Sequence, residues 1–210
     1  MKIKKILAAT LAATMVMASA MTVCAGSTQA SSGGGGTAEA PKTFAEKAEV
    51  ASNAIVKVAG LDVRTSLSGV YAAQKVRGCA VTTDLATVKA NLGLKTGQNP
   101  KIVIYDTDAK KSDKAMACVN AAAEALGGTV VASLNIDLGA VEKGKWIELK
   151  DGSVAMAVGL PKDADTTKTY SVICVQPGGV VTILEDKDTN PKTVTFDVKA
   201  GLGTYALVAK

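Results

Sequence analysis

From residue 135 to residue 210 the chain alternates short β-branched runs with Gly, Asp, Asn and Pro, and nothing in that span repeats at helical spacing. Such a stretch builds sheets or nothing. The runs predict strands at 130–138, 144–149, 153–160, 169–176, 179–184, 193–198 and 203–209. Turns such as Lys150-Asp151-Gly152 and Pro177-Gly178-Gly179 separate them. Short strands at regular spacing predict an antiparallel sandwich or barrel over 129–210, of which an Ig-like β-sandwich is the form expected here.

The segment before it, 43–128, reads differently. T-F-A-E places a capping box at Thr43 and Glu46, ahead of a short Ala-rich helix reaching about Ser52. Residues 55–66 predict a strand, and 69–82 predict two strands about a turn near Arg77-Gly78. Leu85, Val88 and Leu92 share one helical face, with Thr83 as the expected cap and Gly93 as the stop. K-I-V-I-Y-D at 101–106 has the pattern of a buried strand. Ser112 then opens a helix whose Met116, Val119, Ala123 and Leu126 form a stripe, closed by Gly127-Gly128. The strand–helix–strand order permits a right-handed crossover onto one sheet. The fold class expected for the whole is α+β: a small mixed α/β lobe over 43–128, then the sandwich. The pattern leaves open whether the two lobes share one core.

The N-terminus carries Lys2, Lys4 and Lys5 before an apolar run over 6–21, and Val23-Cys24-Ala25 fits a small-x-small cleavage pattern. Residues 1–25 therefore read as a secretory signal peptide, with an apolar run shorter than the roughly 20 residues a membrane span needs. A rival reading makes Cys24 a lipidated N-terminus; Val23 fits poorly before such a cysteine. Residues 26–42, with a four-Gly run at 33–36, form a Gly/Ser-rich tether. Cleavage removes three lysines and no acid, taking the formal charge from +5 to +2. A charge that small points to no nucleic-acid partner. No transmembrane helix is expected after cleavage, and the expected location is secreted or cell envelope.

Several motifs carry a resemblance: L-N-I-D-L (134–138), Trp146, V-A-M-A-V-G-L-P (154–161), T-Y-S-V-I (169–173), G-G-V-V-T-I-L-E-D (178–186), D-T-N-P-K-T-V-T-F (188–196) and T-Y-A-L (204–207). Together they resemble a β-sandwich module that recurs at the C-terminal ends of large exported surface proteins of Gram-positive anaerobes. The family has an aromatic-Ser pair before Thr-Tyr where this chain has Leu202-Gly203. The resemblance implies a surface or secreted context and a structural or interaction role, and brings no catalytic residues.

The chain has no His, which excludes Ser-His-Asp and Cys-His catalysis and removes the commonest zinc ligand. Cys79, Cys118 and Cys174 sit among apolar neighbours and read as buried thiols. Asp106 and Asp108 follow a strand at its C-terminal end, where a carboxylate-dependent hydrolase would carry its acids, although solvated turn residues fit them better. Asp186, Asp188 and Asn190 have the D-x-D-x-N spacing of a calcium loop, with Asp197 at the twelfth position; Pro191 stands where that loop needs Gly. A polar hairpin loop is the plainer reading, and no other cofactor is implied. Among one Trp, four Tyr and two Phe, only Trp146, flanked by Lys145, suits an exposed aromatic platform for a glycan, while Phe196 and Tyr205 belong to the core. The expected function is that of a non-enzymatic structural or interaction protein with a protein or glycan partner at the cell surface.

Overall fold

A computed structural model describes residues 49–210. The export signal, Cys24, the tether and the first residues of the helix expected from Thr43 lie outside them. The described chain is α+β, 49% strand with two short helices. In chain order the strands are β1 (Glu49–Val50), β2 (Ile55–Val58), β3 (Leu61–Arg64), β4 (Ser68–Ala72) and β5 (Cys79–Val81). Helix α1 (Leu85–Asn91), β6 (Asn99–Asp106) and helix α2 (Asp113–Ala125) follow. The rest is all strand: β7 (Thr129–Glu142), β8 (Lys145–Glu148), β9 (Ser153–Gly159), β10 (Tyr170–Gln176), β11 (Val180–Glu185), β12 (Thr193–Lys199) and β13 (Gly201–Ala209).

One eight-stranded sheet runs β1-β4-β6-β7-β13-β10-β11, with β8 paired to the far end of β7. It continues across the 128/129 border, since β7 pairs with β6 on one side and with β13 on the other. A three-stranded sheet, β12-β9-β5, lies over one face, and β2-β3 form a separate hairpin. Between the two sheets Ile102 and Ile104 of β6 meet Leu134, Ile136 and Leu138 of β7, Met156 of β9 and Phe196 of β12. Residues from both expected lobes thus share one core. Each such side chain, fully removed from water, contributes about 1.5–3 kcal/mol. Phe196 and Tyr205 stack within it, ring centroids 5.7 Å apart.

Helix α2 packs on the opposite face of the large sheet, setting Cys118, Val119 and Ala123 against Ile173, Val175, Val181, Ala206 and Val208. Gly127, at φ +64°, closes it by taking the left-handed conformation that a side chain resists. Because successive side chains of a strand point to opposite faces, even positions of β7 from 132 to 138 enter the inter-sheet core while 133, 135 and 137 face the α2 side. α2 covers that side from the start of β7 across β13 and β10 to β11.

Several expectations change. At the end of the helix expected from Thr43, residues 49–50 form an edge strand against Val70 and Gly69, and 52–53 turn. Pairing with the edge of the large sheet outweighs helix propensity, which tertiary context overrides even in an Ala-containing segment. The strand expected over 55–66 is a hairpin, folded at Ala59 and Gly60, both at positive φ. The strands on either side of Arg77-Gly78 are not partners: β4 lies in the large sheet and β5 in the small one. The cap of α1 is Asp84, which accepts from Ala86 N and Thr87 N at 3.1 and 3.0 Å, while Thr83 takes the Ala155 amide at 2.8 Å. β6 and β7, joined through α2, are antiparallel neighbours; the parallel pair is β4–β6.

Candidate functional site

The acids singled out by spacing are tied into the scaffold. Asp186, Asp188 and Asn190 lie in the 186–190 loop, which carries the chain from β11 in the large sheet to β12 in the small one and so is not a hairpin. Asp186 Oδ1 accepts from the amides of Asp188 and Thr195 at 3.0 and 2.9 Å. Asp188 accepts from the Asn190 amide at 2.8 Å and from the hydroxyls of Thr193 and Thr195 at 3.0 and 2.6 Å. Asn190 Oδ1 takes the Lys192 amide at 3.0 Å. Asp197, on β12, is paired with Lys187 Nζ at 2.5 Å. The loop therefore brings Asp186 and Asp188 together around Thr195 and turns Asn190 and Asp197 to other partners. Burial raises the Asp186 pKa above the ordinary carboxylate value, with the amides of Thr195 and Asp188 pulling it down and the Asp188 charge adding a smaller rise. Among the described residues no three His, Cys, Asp or Glu side chains are gathered as a metal would require.

Asp106 receives the amides of Gln74 and Lys75 at 2.9 and 3.0 Å and so anchors the loop after β4. Asp108 accepts from the Lys110 amide at 2.9 Å, a turn that leads into α2 and lowers its pKa. Cys79, Cys118 and Cys174 are buried, and among the described residues no disulfide links any two of them. Burial pushes the Cys79 thiol up to about 12 and the Cys174 thiol up to about 11, far from a reactive thiolate.

Trp146 is placed otherwise. It stands on β8 at 40% exposure, on the part of the large sheet's face that α2 leaves open. Its six-membered ring lies over Gly139 of β7, where any Cβ would collide with the ring and approach the Ile147 carbonyl oxygen to 2.8 Å. Glu148 is the direct partner of Gly139 across the β7–β8 ladder. Two residues further back along β7, on the same face, comes Asp137, between Val103 of β6 and Leu202 of β13. Two more bring Asn135, between Tyr105 and Thr204.

This row is polar and partly enclosed. Asn135 is buried, and its Oδ1 accepts from Thr204 Oγ1 at 2.7 Å and Thr107 Oγ1 at 3.4 Å, while its Nδ2 donates to Ser112 Oγ at 3.4 Å. Asp137 Oδ1 is shut off from solvent with no hydrogen-bond partner among the described residues. Burial raises the Asp137 pKa, and the Glu148 charge raises it further. Burial and the Asp137 charge raise that of Tyr105, against a smaller pull from Asn135. Next to the row a groove of about 630 Å³ opens between the first turns of α2 and the β10–β11 turn, with Tyr105, Asn135, Leu202 and Thr204 along its floor.

Of the residues picked out by sequence only Trp146 belongs to this face; Asp137, Asn135, Tyr105, Thr204 and Glu148 were not expected. The signal for two of them was present in L-N-I-D-L, where Asn135 and Asp137 alternate with Leu134, Ile136 and Leu138. Comparison with protein-family models, with curated proteins and with solved structures gives no significant match.

Proposed function

We propose that the chain is an exported, non-enzymatic structural or interaction protein of the cell surface, secreted or held in the envelope. One observation carries this reading: the acids and thiols that the sequence singles out are bonded or buried within the scaffold, whereas an aromatic side chain stands exposed on an open sheet face. The strands of 129–210, which line a core between two facing sheets, are in keeping with an Ig-like sandwich of the surface-protein kind. A glycan partner is the second reading, favoured by the 40% exposure of Trp146. No helix among the described residues is long and apolar enough to cross a membrane.

Cell fractionation with intact-mass measurement tests the proposal. The expected product begins at Gly26 and is found in the medium or envelope. A lipid-modified mass at Cys24 would place the protein on a membrane surface, still outside the cell. An uncleaved chain in the cytosol would overturn the reading.

A further inference from the structure

The open face offers a solvent-exposed aromatic plane and, beside it, an acceptor without a donor. Gly139 lets the Trp146 ring lie down on the sheet, and the ring still keeps 40% of the residue exposed. Asp137 is two residues along the same strand, about 7 Å from Gly139, with Oδ1 enclosed and unmatched among the described residues. Oδ1 is closed to solvent, so a ligand's hydroxyl meets this carboxylate at Oδ2, the oxygen left open, and a bond there offsets part of the cost of a half-enclosed acceptor. The nearby acid, Glu148, supplies another acceptor and no donor. Lys101, on the same face of β6, is already engaged with Glu49 at 2.9 Å.

We propose that this face binds an oligosaccharide, with one pyranose ring stacked on Trp146 and its hydroxyls donating to Asp137 and Glu148. The inference rests on the exported-interaction reading and names the partner's chemistry. A pyranose matches both halves of the surface, since its C–H face packs on an indole and its rim carries several O–H donors. The row from Gly139 to Asn135 is about 13 Å long and continues into neutral hydroxyls and an amide at Tyr105, Thr204 and Asn135. A compact cation would use the two acids and leave that row idle. A chain of hydroxylated rings uses all of it.

Trp146 is the sole tryptophan of the sequence, so its emission reports on this face alone. The purified protein is titrated with cellohexaose, maltohexaose and chitohexaose, and separately with spermidine and tetramethylammonium. At least one hexasaccharide is expected to give a saturable change in emission. Asp137→Ala is expected to weaken binding about tenfold, the loss of a hydrogen bond to a charged group. Trp146→Ala, followed by calorimetry, is expected to abolish binding while unfolding stays cooperative. The proposal falls if no hexasaccharide binds, if only the cations do, or if both variants bind as the parent does. The titration uses purified protein and the fractionation uses cells. Lost sugar binding with the mature chain outside the cell would end this inference alone; sugar binding with the chain retained in the cytosol would end the export reading alone.

Discussion

Two acidic regions of this protein look alike as chemistry and behave as opposites. The 186–190 loop has the better motif, yet its carboxylates are surrounded by amides and hydroxyls of their own segment. The Asp137 face has no motif, yet it holds an enclosed carboxylate oxygen that nothing in the described chain satisfies. The loop uses its acids to fix a crossing between two sheets. The face holds its acid against the preference of the fold. What separates a site from a turn here is which oxygens are already bonded, and spacing along the chain does not report that.

Substitutions can break or sharpen that contrast. The largest expected effect is at Asp188, where Asp188→Ala strips the acceptor from one amide and two hydroxyls. A cost of about 2–4 kcal/mol follows, seen as a fall in the thermal midpoint of roughly 5–10 °C; an unchanged midpoint would mean the loop is not held by this carboxylate. Gly139→Ala comes next, because the new methyl meets both the indole and the Ile147 carbonyl. It is expected to cost about 1–3 kcal/mol and to shift Trp146 emission to the red as the ring lifts into water. Emission at the parent's wavelength would show that the ring does not rest on this glycine.

Asp137→Asn should act in the other direction. Its pKa is raised in the folded state, so folding favours the protonated form, and stability is lost as pH rises from the ordinary carboxylate range through the raised value. Removing the charge is expected to stabilise the protein at neutral pH by about 1 kcal/mol or less, because the group is only partly enclosed. The gain should vanish below about pH 3, where both states carry the proton; denaturant unfolding at neutral pH and there measures it. A gain that is the same at both would assign the effect to packing and not to charge. The smallest effect is expected from calcium. Thermal midpoints with calcium and with chelator should agree within about 1 °C, whereas a rise of several degrees would give the 186–190 loop a bound ion.

Much of the sheet was legible because turn chemistry is local. Gly127 and Gly93 ended helices where expected, and the strands after residue 129 lie within a few residues of their predicted spans. What the sequence withheld was partnership. Nothing in the residues around Arg77-Gly78 says that β4 and β5 belong to different sheets, or that β4 pairs in parallel with β6, because those choices depend on segments far away in the chain. The site was half legible for the same reason. Asn135 and Asp137 advertise themselves by alternation on one strand, but their meeting with Tyr105, Thr204 and Trp146 is made by three other strands.

β13 is the last of the described strands and sits between β7 and β10. Until residues 201–209 are present, the large sheet is two fragments with a gap between them, and Tyr205 and Leu207 are missing from the core. Closure of the large sheet therefore waits on a strand far along the chain from β1, β4 and β6, and the fold completes in one late step and not piece by piece from the N-terminal side.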